Sequence, residues 1–300
     1  MSDAAAILQM YPWLASPTDG SSLIPDGDAL RATGDGTRYP VEGGIPRLLT
    51  PAARADAARA DADIAPSSGI QDIPLVEPTL LKMLPYVVRP EDGPGVWLRK
   101  RTAWGQLERA LDNAGLPSQM RAVDAGAGVG WVARRLSLLG ASVVALDRST
   151  DTRFGLGGAL QMAGDAQAPF LPVQADLARP PVLAGAADLV VFCDSLPPAP
   201  MLTETLTRHA ATLRPGGLLI LMDSPIAAEA PEAPEGSNVA AAATPATRTA
   251  VDAALEAAGL AVREWYEPEQ AVPRLIERFT RRRADRAPDV PRPFIVAARG

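Results

Sequence analysis

From Arg121 onward the chain alternates apolar runs of strand length with helical patterns, and that alternation constrains its fold more than any other feature. "RAVDAG" reads as a strand and "GWVARRLSLLG" as a helix closed by Gly140. "ASVVALD", "LPVQADL" and "AADLVVFCD" read as the next three strands. "MLTETLTRHAATLRPGG" is a helix and "GLLILMDS" a strand. After an Ala/Pro/Glu-rich insertion over 227–244 come a helix, "TRTAVDAALEAAGL", and a strand, "LAVREWYE". A final helix around "AVPRLIERFTRRRA" leads into the closing strand "RPFIVAAR". Such alternation predicts an α/β, doubly wound, mostly parallel seven-stranded sheet with helices on both faces.

Upstream the pattern changes. Residues 1–50 are punctuated by glycine and proline, which predicts small hairpins rather than helices. Residues 51–74 are rich in Ala, Asp and Arg without an apolar stripe, and read as a linker with some helical content. The domain proper is expected over 75–300. It opens with a helical cap over 75–116, where Trp97, Trp104, Leu107 and Leu111 fall at helical offsets before Gly115 and Pro117 stop the run.

Composition removes several functional classes. A net charge of −6 and a pI near 5.0 argue against a nucleic-acid backbone as the main partner. One cysteine, Cys193, excludes an internal disulfide framework, and its place in an apolar strand marks it as a core residue. The N-terminus lacks the pattern of a signal peptide, and no apolar stretch is long enough to span a bilayer. The expected location is the cytoplasm.

The stretch "VDAGAGVGW" carries the chemistry. It follows the first strand of the alternating region, so Gly126, Gly128 and Gly130 form the turn into the first helix, where a ligand can touch the main chain. Its spacing is D-x-G-x-G-x-G, with Trp131 where a dinucleotide fingerprint needs its third glycine, and no Ser/Thr-Lys pair makes it a Walker-type loop. Asp147 ends the second strand, where a carboxylate accepts from ribose hydroxyls. Asp176 follows the third, where one accepts from an adenine amino group.

The stretches "VDAGAGVGW", "VVALD", "VQADL", "ADLVVFCDSL" and "LRPGGLLILMDSP", in this order, resemble the class I S-adenosylmethionine-dependent methyltransferases. The likeness covers roughly residues 95–226. It implies the Rossmann-like methyltransferase fold and S-adenosylmethionine as cofactor. Asp124, Gly126, Gly128 and Gly130 would cradle the methionine part, Asp147 the ribose, and Asp176 with Leu177 the adenine. An acid-lined rim also suits a cationic sulfonium better than a pyrophosphate.

The N-terminal segment resembles the small zinc ribbon often found beside such domains, through Tyr39-Pro40-Val41, Gly44-Ile45-Pro46 and Leu48-Leu49. Its two metal-binding pairs would fall on Ser16/Asp19 and Ala32/Asp35. None is a cysteine, so the expectation is a ribbon without metal.

For catalysis, the end of the fourth strand offers "CDSLPPAP". Asp194 is the candidate for orienting the acceptor or the donor's amino group, with capping of the next helix as its structural alternative. Pro197 and Pro198 follow it. His209, the only histidine, is expected on the surface of the helix after the fourth strand, and Arg281-Arg282-Arg283 on a solvated face. Val129 departs from the asparagine common in relatives at that position. The expected activity is methyl transfer to a small-molecule acceptor by in-line displacement. A non-catalytic S-adenosylmethionine-binding subunit is the competing reading, and an RNA methyltransferase stands behind both because the chain is acidic.

Overall fold

The computed structural model describes residues 3–55, 57, 77–87, 94–197, 199–227, 246–267 and 291–300. Five parallel strands form the centre: β5 (Arg121–Ala125), β6 (Ser142–Asp147), β7 (Leu171–Ala175), β8 (Ala187–Cys193) and β9 (Leu213–Met222). β13 (Phe294–Arg299) inserts antiparallel between β9 and β12 (Leu260–Tyr266), which completes the seven expected strands in the order β7-β6-β5-β8-β9-β13-β12. Strand order reverses between β5 and β8, and a doubly wound sheet binds ligands at that switch point.

The sheet continues beyond β7. The N-terminal strands β1 (Leu23–Asp26), β2 (Ala29–Ala32), β3 (Arg38–Glu42) and β4 (Ile45–Leu48) pair antiparallel in succession. β4 then lies parallel to β7, with Arg47 opposite Gln174 and Leu48 opposite Ala175, so the whole sheet has eleven strands. The N-terminal segment also contains a helix, α1 (Asp3–Met10), where hairpins alone were expected. Its sequence, "DAAAILQM", consists largely of strong helix formers behind an acidic first turn, and local propensity decides the element.

Alternation along the strands separates two cores. Val123, Val144, Val190, Phe192, Leu219 and Leu221 face one side. They pack there against α6 (Ala199–Thr212), α7 (Arg248–Ala257) and the N-terminal strands. Ala122, Val143, Leu189, Val191, Cys193 and Ile220 face the other, against α3 (Pro94–Ala114), α4 (Trp131–Leu138) and α5 (Leu156–Ala163). The period of two along each strand is the physical cause. Trp97, Trp104, Leu107 and Leu111 of α3 are all buried, as their offsets predict. Trp97 and Trp104 meet the Trp131 ring edge-on at 6.0 and 6.2 Å, which docks the helical cap onto the residue that follows the glycine turn.

Three short elements remain: α2 (Pro78–Met83) and the parallel pair β10 (Ile226–Ala227) and β11 (Ala246–Thr247), while residues 51–55 and 57 are also helical. Most of the 51–74 segment, residues 228–244 of the insertion, Pro198, and the helix expected around Arg281–Arg283 lie outside the described residues. Among the described residues, no helix is long and apolar enough to cross a membrane.

Candidate active site at the carboxyl edge of the sheet

The glycine turn is built from positive backbone angles: φ is 78° at Gly126, 52° at Gly128 and 77° at Gly130. The amides of Gly126 and Ala127 both donate to the carbonyl of Leu146, at 2.8 Å each, which ties the turn to the end of β6. The space beside Gly126 is shared by the ends of two other strands. A Cβ there would come within 2.8 Å of Ser195 Oγ and 3.6 Å of Leu177 Cδ1. Ser195 in turn donates from Oγ to the carbonyl of Ala125. The absence of a side chain at Gly126 therefore lets β5, β7 and β8 converge.

The rim acids are held by main-chain donors. Asp147 accepts from Gly128 N–H at 2.8 Å through Oδ2 and from Ser149 N–H at 2.9 Å through Oδ1. These two main-chain donors fix the orientation of the carboxylate at the end of β6. Asp176 accepts from Ala178 N–H at 3.0 Å through Oδ1. Asp124 takes a different place from its neighbours. It is fully buried and caps α4 from beneath the turn, accepting Ala133 N–H at 2.9 Å through Oδ2. Its Oδ1 is buried with no hydrogen-bond partner. Burial raises its pKa to about 7, the Ala133 hydrogen bond opposes this, and nearby Asp147 adds to the rise.

This donor set fits S-adenosylmethionine. Fixed carboxylates at the ends of β6 and β7 match hydroxyl and amino donors, and the buried, unpartnered Oδ1 of Asp124 adds negative potential beneath the glycine turn when that carboxyl is ionised.

Asp194 occupies a site that no local pattern announces. It does not cap α6, which begins at Ala199. Its carboxylate instead accepts from Lys100 Nζ at 3.0 Å and from Arg292 Nη1 at 2.7 Å. Burial pushes its pKa up, but Lys100 and Arg292 outweigh that and hold it below the ordinary range. Lys100 also lies 3.1 Å from Asp223, the residue that follows β9, and Arg99 pairs with Asp223 at 3.2 Å. The Asp223 side chain is only 2% exposed. Burial works against the charge on Lys100, and Cys193, Asp223 and Asp194 together raise its pKa above the ordinary lysine range. Lys100 and Arg292 stand 94 and 98 residues from Asp194, so sequence spacing carries no sign of the cluster. The second terminal acid in "LMDS" is its one visible trace.

His209 is not on the surface. It is fully buried, against the Phe192 ring at 4.8 Å, with Nε2 2.9 Å from the carbonyl of Leu177. The face of α6 that carries it turns toward the sheet, which a short helical segment with few apolar residues does not reveal. Burial lowers its pKa to about 4, against the hydrogen bond to Leu177. Cys193 is buried as expected, and burial pushes its thiol pKa up.

A family model described as a methyltransferase domain matches residues 98–264, more than half of the chain. The chain belongs to this methyltransferase family. No curated protein matches it significantly. Among solved structures, magnesium protoporphyrin IX methyltransferase from Synechocystis PCC 6803, with bound SAH, is similar at a TM-score of 0.52 and 17% identity. That match covers 82% of this chain and 100% of the other. The [4+2]-cyclase SpnF is similar at a TM-score of 0.50 and 17% identity, over 64% of this chain and 80% of the other. At such identities the likeness is one of fold.

Proposed function

We propose that this protein transfers a methyl group from S-adenosylmethionine to a small-molecule acceptor. The observation that carries this reading is the convergence of Gly126, Leu177 and Ser195 beside the oriented carboxylate of Asp147, at the switch point of a methyltransferase-family sheet. When bound, S-adenosylmethionine supplies an activated methyl group on a sulfonium. The chain's own residues bind and align. The glycine turn, braced from beneath by buried Asp124 rather than sharing the ligand with it, faces the methionine end, Asp147 the ribose, and Asp176 with Leu177 the adenine. Asp194 holds the acceptor side through its ion pairs. The net charge of −6 supports a small-molecule acceptor over a nucleic acid.

A second reading, a binding subunit without turnover, draws on one observation. Asp194 is committed to two cations and His209 is enclosed, so neither is placed as a general base.

Calorimetric titration with S-adenosylmethionine tests the first step. Saturable binding is expected, weakened in Asp147→Ala by roughly 1.5–3 kcal/mol through lost hydrogen bonds to a charged group. Unchanged affinity in that variant would remove the ribose assignment. Tight donor binding without transfer to any acceptor would favour the binding subunit.

A further inference from the structure

Among the described residues, only two that are not glycine adopt a positive φ: Asp194 at 56° and Asp223 at 52°. They follow adjacent parallel strands, β8 and β9, on the side of the switch point away from Asp147 and Asp176. Left-handed backbone at a non-glycine residue costs free energy and persists where surrounding contacts impose it, often at functional sites. Here the contacts are three cations. Lys100 bridges both carboxylates from below, with its side chain 10% exposed. Arg99 and Arg292 lie further out, with side chains 43% and 27% exposed.

The two guanidinium groups are only partly used. Arg99 commits Nε to Asp223, and Arg292 commits Nη1 to Asp194 and to the Asp223 carbonyl. The described residues supply no hydrogen-bond partner for Nη2 of either arginine or for Nε of Arg292. Both arginines reach Asp223, Arg99 at its carboxylate and Arg292 at its main-chain carbonyl, so the two guanidinium groups flank one residue. Among the described residues, three cations stand against two carboxylates, one positive charge in excess. That suits a monoanion, whereas a phosphate dianion would meet the repulsion of Asp194 and Asp223. Guanidinium N–H groups make strong, charge-assisted hydrogen bonds to a carboxylate oxygen.

The chemistry agrees. Among the described residues, no group of the cluster is free to serve as a base: Lys100 is ion-paired, Asp194 and Asp223 are each paired with cations, and Cys193 and His209 are buried in the core. A carboxylic acid needs none, because at neutral pH it is already a carboxylate.

Resting on the proposed methyl transfer, we infer that the acceptor is a small carboxylic acid, held by Arg99 and Arg292 and methylated on oxygen. A carboxylate oxygen forms the new O–C bond as the donor's C–S bond breaks. The bonding pair goes to sulfur, no proton moves, and an anion plus a sulfonium become a neutral ester and a neutral thioether. The arginines hold one oxygen and leave the other to attack.

The test uses the full chain and a panel of benzoate, phenylacetate, indole-3-acetate, hexanoate and succinate monomethyl ester, with the matching amides as controls. Calorimetry on the protein alone should show at least one carboxylate binding and no amide. With methyl-labelled donor, the label should enter that acid and be released as methanol by mild alkali. Arg99→Met should weaken carboxylate binding at least tenfold and leave the Kd for S-adenosylmethionine within twofold. Arg292→Met should do the same, and Arg292→Lys should partly restore it. Arg99 is the safer variant because its side chain is the more exposed. Label stable to alkali, or no panel acid bound although S-adenosylmethionine binds, would overturn the inference and leave methyl transfer standing. If Arg99→Met weakens S-adenosylhomocysteine but not methylthioadenosine, the arginines hold the donor's own carboxylate, and the inference also fails. If the donor itself does not bind, the underlying reading is what fails.

Discussion

His209 Nε2 lies 2.9 Å from the carbonyl oxygen of Leu177, so the one histidine of the chain anchors the loop proposed to hold the adenine. A carbonyl only accepts, so Nε2 carries the proton and Nδ1 is bare, buried and unpartnered. The residue is a positioning group that reaches the loop from α6.

His209→Ala is expected to destabilise the fold by roughly 2–5 kcal/mol, the range for emptying a large core site. Urea denaturation measures this. The wild type should also weaken in acid. The folded-state pKa is about 4 and the ordinary value 6.5, so the contribution is complete above pH 6.5 and lost as pH falls toward 4. His209→Leu should flatten that window, and an unaltered acid profile would contradict the burial.

Asp124 gives the opposite dependence. Its folded-state pKa is raised to about 7, so the folded protein holds the proton longer than the unfolded chain. Stability from this group is present below about pH 4 and lost as pH rises to 7, at up to about 1.4 kcal/mol per pH unit. Asp124→Asn keeps an acceptor for Ala133 N–H and should lose less stability than the wild type between pH 5 and pH 8. Parallel profiles for the two proteins would refute the assignment.

Gly126→Ala should fail for two separable reasons. The left-handed backbone costs about 1–2 kcal/mol with a Cβ, and that Cβ collides with Ser195. Adding Ser195→Gly should recover the steric part only. Thermal unfolding of the single and double variants, with titration of S-adenosylmethionine, separates the two, and full recovery in the double variant would show that the backbone angle is not constrained.

The N-terminal turns are expected to need no metal. Asp19 accepts Ser21 N–H through Oδ1 and Asp35 N–H through Oδ2, both at 3.0 Å, while Ser16 and Thr18 hydrogen-bond the hydroxyl of buried Tyr39. Hydrogen bonds thus join the two turns where a ribbon would carry zinc ligands. The Ser21 amide is the main reason the Asp19 pKa falls to about 2, so the joint should survive mild acid. Elemental analysis should find no stoichiometric zinc, chelator should leave Tm unchanged, and Asp19→Ala should lower it. Zinc lost together with stability on chelation would overturn this.

The sheet was legible in the sequence because strand and helix periodicities are local. Each apolar run from "RAVDAG" to "RPFIVAAR" that the structure describes became a strand, and the glycine turn with its rim acids sits at strand ends because residues at fixed offsets from a strand keep that place. Tertiary structure decided what depends on distant residues meeting. It turned His209 inward, paired Asp194 with Lys100 and Arg292 across more than ninety residues, and joined Leu48 to Ala175 so that the N-terminal strands extend the sheet. Charged partners leave no periodic trace, since what selects them is burial and proximity in the folded chain rather than spacing along it.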